Sequence, residues 1–171
     1  MARMDVAAVF TELYGRIPPL AEAAVDGLSA AQLAARPAPD ANSIGWLVWH
    51  LARVQDHHMA ELLGGDQLWQ SGPWAPRFGL DADPANTGYG HSADQVASVT
   101  PDGPEVLLDY LGAVHAQSTS LITNVVPGDL DRVVDRRWDP PVTLGVRLVS
   151  VADDCLQHAG QAAYVRGLLA L

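Results

Sequence analysis

Asp154 and His158 stand four residues apart in Val151-Ala-Asp-Asp-Cys-Leu-Gln-His-Ala-Gly-Gln, and His50 lies about a hundred residues upstream in Trp46-Leu-Val-Trp-His-Leu. Four residues is about one helical turn, so a carboxylate and an imidazole at that spacing leave one face of one helix and can grip one metal ion. His50 is a third candidate ligand. Two imidazoles and one carboxylate leave positions open on a divalent ion, whereas a structural zinc site is closed by four protein ligands. An open position admits water or substrate.

The competing reading is structural, because a histidine in an apolar stripe is usually a hydrogen-bonded core residue. The pairing with Asp154 favours the metal. A carboxylate beside a buried stripe costs several kcal/mol, as an order of magnitude, if left unpaired. The stripe itself offers no evident Lys or Arg to neutralise it. Asp153 points about 100° away and is expected in solvent. His50 and His57 share a direction, but seven residues is a rise of about 10 Å, so only one of them can join Asp154 and His158. His57 with Glu61, His58 with Glu61, and Cys155 with His158 are weaker pairs. Glu61 falls near a helix end, and Cys155 is explained as a small core residue. His91 and His115 have no partner by spacing and are expected at the surface.

Four long segments read as helices, and no run alternates apolar and polar residues long enough to build a sheet. The first covers roughly Asp5 to Val25, bent or broken by Pro18 and Pro19. A short turn at Ser29-Ala-Ala-Gln-Leu follows. The second helix opens at Asn42 or Ser43 and ends at Gly64-Gly65, with Ile44, Leu47, Leu51, Val54, His58 and Leu62 as its stripe. From Asp66 to about Pro101 the chain is rich in Gly, Pro, Asp and Trp, a long connection of the kind that forms lids or binding walls, with a short helix near Ser92. The third helix begins near Thr100 or Asp102, where Asp102-Gly-Pro-Glu105 resembles a capping box, and runs to Val125. An extended connection from Leu130 to Pro141 leads to the fourth helix, about Thr143 to Leu169. The expected fold is all-α, a four-helix bundle with a long connection between helices 2 and 3.

At 171 residues the chain suits one domain, 1–171, able to bury a real core. Hydrophobic residues make up 49% and charged residues 18%, a composition that folds. Apolar runs are too short to span a bilayer, and Met1-Ala-Arg-Met-Asp leads into an amphipathic stretch instead of a signal sequence, so a cytoplasmic protein is expected. All ten basic residues are arginine against twenty acidic ones, giving a formal charge of -10, which disfavours nucleic acid. Cys155 is the single cysteine, which excludes an intramolecular disulfide and a multi-thiolate zinc site from one chain.

Two blocks carry a resemblance to a known group. In Arg36-Pro-Ala-Pro-Asp-Ala-Asn-Ser-Ile-Gly-Trp-Leu-Val-Trp-His-Leu-Ala-Arg and Asp154-Cys-Leu-Gln-His-Ala-Gly-Gln-Ala-Ala-Tyr-Val-Arg-Gly, the chain resembles the DinB-like superfamily of four-helix metal-binding proteins. Within it, the similarity is to the mycothiol-dependent maleylpyruvate isomerase-like branch. The family's metal ligands fall on His50, Asp154 and His158. Many relatives have His at the Asp154 position, and the isomerase branch has a carboxylate there, usually a longer one. The isomerase carries an additional C-terminal domain, so maleylpyruvate is not the expected substrate of this chain.

The resemblance implies thiol S-transfer, in which a low-molecular-weight thiol such as mycothiol attacks an electrophilic small molecule with a divalent metal present. Zinc is expected first, with nickel or manganese as alternatives. Gln161 and Tyr164 would support the ligands or contact substrate, and Arg53, one turn from His50, would receive an anionic group. Trp46, Trp49, Trp69, Trp74 and Trp138 would wall a pocket or pack the bundle. Two further readings remain: a metal-dependent hydrolase, and a non-catalytic bundle that binds a metal or small ligand. High apolar content on several helix faces suggests a homodimer.

Overall fold

The computed structural model describes residues 4–171. Its four long helical segments pack as a DinB-like bundle, as the periodicity predicts. The first segment is divided. α1 (Val6–Gly15) ends at Arg16, and α2 (Ile17–Val25) restarts with Pro18 and Pro19 in its first turn, where a proline needs no N–H partner. α3 (Ala30–Ala34) is a single capped turn, with Ser29 and Gln32 bonding reciprocally to each other's backbone.

α4 (Ile44–Leu63) starts where the Ser43 hydroxyl accepts the N–H of Trp46 and stops at Gly64, whose φ of 67° is the left-handed conformation that glycine adopts without penalty. Fourteen of its twenty residues are buried, which makes it the central helix of the bundle and not a surface helix with one apolar stripe. Its neighbours are α7 (Pro104–Ile122) on one side and α8 (Leu144–Leu168) on the other, while α2 closes against α8. The inner seam joins Leu47, Leu51, Leu107, Leu111, Leu148 and Val151, all nearly inaccessible.

Two expectations for the third helix need correction. α7 is not opened by an Asp102–Glu105 capping box: Gly103 occupies the cap without a side-chain bond, and the Asp102 carboxylate instead pairs with Arg77 at 2.8 Å. The helix also ends at Ile122, short of Val125. The connection after it contains a two-stranded antiparallel ribbon, β1 (Val133–Asp135) with β2 (Val142–Thr143), too short to leave an alternating pattern in the sequence.

The connection from 66 to 103 is ordered through its side chains. It contains α5 (Leu68–Ser71), a 3-10 turn at Ala75–Phe78 and α6 (Ala93–Ser98). The tie to the bundle is a buried ion pair on α4. Asp56 accepts the backbone N–H groups of Leu68 and Trp69 at 2.9 and 2.8 Å, and the Tyr110 hydroxyl at 2.7 Å. Arg53, fully buried beside it, donates to Asp56, to the carbonyls of Pro84 and Asn86, and to Gln67. Trp69 lies under its guanidinium, 4.9 Å from the ring centroid. Among the described residues, no helix is long and apolar enough to cross a membrane.

Candidate metal centre and adjoining cleft

α4 supplies His50 and α8 supplies Asp154 and His158, and the fold brings one ligand atom from each within 4.8 Å of the others. His158 Nε2 lies 3.5 Å from Asp154 Oδ1, one turn apart on the same helix face. The rings of His50 and His158 meet edge to face at 4.7 Å. Asp153 is exposed and accepts from Gln157, as its direction on the helix predicts.

Each histidine is oriented through its other ring nitrogen. His50 Nδ1 faces the carbonyl of Thr87, and since a carbonyl only accepts, Nδ1 carries the proton and Nε2 keeps the lone pair. His158 Nδ1 bonds to Gln161 Oε1 at 2.8 Å with the same consequence. Histidine ligands of metals are characteristically held this way. Burial of His50 lowers its pKa, which keeps the imidazole neutral. For His158 burial works in the same direction, but the neighbouring Asp154 carboxylate and the bond to Gln161, which favour the protonated ring when no cation is bound, outweigh it and raise the pKa.

The donor set fits a divalent cation. Among the described residues, Asp154 Oδ2 is buried without a hydrogen-bond partner, a condition that costs about 1–3 kcal/mol, more for a charged group, unless something binds it. Two imidazole nitrogens, each with a lone pair once a cation displaces any proton, and that oxygen match zinc, and also nickel or manganese, in donor type.

Aromatic residues close the back of the site. Trp46 stacks on His50 at 4.6 Å and donates from Nε1 to His91 Nδ1 at 3.1 Å. His91, expected at the surface, is instead half-buried, stacked on Trp49 and bonded to Asn86 at 2.8 Å. It was invisible to spacing because its partners come from another part of the chain. His115 is likewise half-buried, on α7, away from these residues. Gly88 presses against the rings with φ 93°: a Cβ there would stand 2.7 Å from His50 Nδ1 and 2.9 Å from Trp49.

Of the residues expected to touch substrate, Gln161 is beside the centre on His158. Tyr164 is 68% exposed on α8 and does not line the adjoining cleft. Arg53 is a correction: its guanidinium is wholly enclosed and engaged in holding the connection, so it presents nothing to a ligand. Trp69 and Trp49 are core residues, and only Trp138 of the five tryptophans lines the cleft. Cys155 is fully buried, and burial pushes its thiol well above its ordinary pKa, so it is no nucleophile.

The cleft has a volume of about 780 Å³, a size that holds a small molecule. His50, Asp154 and Thr87 line one end, and His57, His58, Arg137 and Arg147 the other. Arg147, on α8, is the residue that sequence reasoning missed. An arginine set between Val146 and Leu148, beside the apolar stripe, is the signal that would have found it. Another cavity, of about 670 Å³ between Val6, Phe10, Pro127 and Leu130, shares no lining residue with the cleft and offers no comparable donor set.

A comparison with curated proteins gives no match. A solved structure described as the conserved protein of a locus from Enterococcus faecalis is similar over 97% of this chain and 98% of that chain, at 35% identity and a TM-score of 0.88. The family model for mycothiol-S-transferases matches residues 20–170, which takes in both helices of the candidate centre. With the DinB-like bundle, the match shows that the chain belongs to the mycothiol-S-transferase family.

Proposed function

We propose that the protein joins a low-molecular-weight thiol of the mycothiol type to an electrophilic small molecule bound in the cleft, with a divalent metal held by His50, Asp154 and His158. The observation that carries this reading is the convergence of two histidines, each bonded through Nδ1 to an oxygen, with an Asp154 oxygen that has no partner. A divalent cation bound there supplies Lewis acidity, which ionises a thiol at neutral pH. The residues of the chain keep that geometry. Thr87 and Gln161 hold the two imidazoles in one tautomer, Trp46 backs the His50 ring, and the cleft walls bring the electrophile alongside. In the reaction the thiol loses its proton to solvent and a sulfur electron pair forms the new C–S bond. The leaving group, or the α-carbon of a conjugated acceptor, takes the displaced pair.

The test is elemental analysis of the purified protein and of His50→Ala, Asp154→Ala and His158→Ala, with circular dichroism to verify folding. Turnover of an electrophile is then measured with and without mycothiol. Near-stoichiometric metal lost in the variants, and turnover that requires thiol, support the reading. Turnover without thiol would make the protein a hydrolase, using water where the thiol is proposed. A protein that binds no zinc, nickel or manganese would sink both.

A further inference from the structure

Two turns along the same pair of helices lies a second rank of polar groups. His57 and His58 follow His50 by seven and eight residues on α4, and Arg147 precedes Asp154 by seven on α8. Seven residues is a rise of about 10 Å, within the span of one small molecule. The cleft is continuous between the two ranks.

His57, His58 and Glu61 lie close enough to suggest another metal. Their surroundings argue against a cation. Arg53 can only donate, so Gln67 turns Oε1 toward it at 2.8 Å and donates from Nε2 to His57 Nδ1 at 3.0 Å. The proton of His57 is therefore on Nε2, which has no protein partner. His58 lies 3.0 Å from the guanidinium of Arg147, whose positive charge would repel a metal ion.

The rank has donors to spare. Asp135, 5% exposed, is shared by Arg147 at 2.9 Å and Arg137 at 2.8 Å. One buried carboxylate thus serves two guanidinium groups, and at the rim Glu61 Oε1 also pairs with Arg137 at 3.4 Å, a contact between exposed groups that solvent screens. Arg147 is 9% exposed, and its buried Nε has no acceptor among the described residues. Arg presents a planar fork suited to a carboxylate, and a monoanion bound there would take the place of Glu61 on Arg137.

We propose that Arg147, Arg137 and His57 form a subsite for a carboxylate carried by the electrophile, which sets its reactive carbon at the His50–Asp154–His158 end of the cleft. The proposal rests on the thiol-transfer reading for the second half of that statement, while the subsite itself is testable alone.

The probe is benzoate, with benzamide as its uncharged counterpart, titrated into the full-length protein as purified and followed by the arginine Nε–H resonances. Benzoate is expected to shift the Arg137 and Arg147 signals to saturation, and benzamide to leave them unmoved. Arg137→Gln is expected to weaken benzoate about tenfold, the loss of one charge-assisted contact. Arg147→Gln should abolish binding but strips Asp135 of a buried partner. Arg137 has a side chain 71% exposed but also bonds to Asp135, so an unchanged thermal midpoint of Arg137→Gln is measured alongside and keeps the test independent of folding. Asp154→Ala should leave benzoate affinity within about twofold, because the two ranks are about 10 Å apart. Equal binding of benzamide, unchanged affinity in Arg137→Gln, or loss of benzoate in Asp154→Ala overturns the subsite. Absence of metal or of thiol transfer would leave this titration unaffected, so the two readings fail separately.

Discussion

The Thr87 carbonyl accepts the Nδ1–H of His50, so a residue of the long connection decides which nitrogen of an α4 histidine is left with a lone pair. Gly88, next in the chain, makes that approach possible because it has no Cβ. Gly88→Ala places a methyl group 2.7 Å from His50 Nδ1, on a backbone at φ 93° that alanine rarely adopts. Metal affinity is expected to fall about 10–100-fold, the usual effect of losing the support behind a histidine ligand. Competition with a chelator measures it. Wild-type affinity in this variant would mean that the carbonyl does not orient His50.

Gln161→Leu removes the acceptor of His158 Nδ1 from an exposed position, where folding has little at stake. The same chelator competition should show affinity about tenfold weaker. The thermal midpoint of the metal-free protein should be unchanged. A shift in the midpoint with no change in metal affinity would make Gln161 a packing residue.

Arg53→Met leaves Asp56 charged and enclosed with no ionic partner, a change that costs about 3–5 kcal/mol at a buried pair. Urea titration should show that loss. Hydrogen exchange should show the amides of Leu68 and Trp69 losing protection, since they bond to Asp56. Protection retained in this segment would mean that the connection is held by its apolar contacts alone.

Burial, with Arg147 and His57 beside it, pushes the pKa of His58 down to about 4 from 6.5. The unfolded chain therefore takes up a proton there before the folded one does. The contribution of His58 is fully present above about pH 6.5, falls as the pH drops toward 4 and is flat below that, amounting to about 3 kcal/mol in all. His58→Gln should flatten the stability profile of the metal-free protein in that window. An unchanged slope would show that His58 is charged in the folded state.

The bundle and the candidate ligands were legible because both are local facts of helical geometry. The apolar periodicity from Ile44 to Leu62 and from Leu144 to Leu169 locates two long helices, and the four-residue spacing of Asp154 and His158 places them on one face. Ser43 and Gly64 mark the ends of α4 because capping chemistry depends on adjacent residues alone. The wider role of α4 was not legible, since a helix buried on most sides loses the one-sided pattern that periodicity detects.

Contacts between distant segments were decided by the tertiary structure. Arg53, one turn from His50, reads as the receiver of an anionic group, yet the fold encloses it with Asp56, Gln67 and Tyr110 and makes it the anchor of the connection. His91 has no partner by spacing because Trp46, Trp49 and Asn86 reach it only after the connection folds back over α4. Arg147 and Arg137 come to share Asp135 through a ribbon too short to predict. Sequence alone determined which side chains have the chemistry of a metal site, because residue type and helical phase are written in the chain. Only the packing of α4, α8 and the connection decided which of them converge, because burial and hydrogen-bond partners depend on distances that spacing along the chain does not contain.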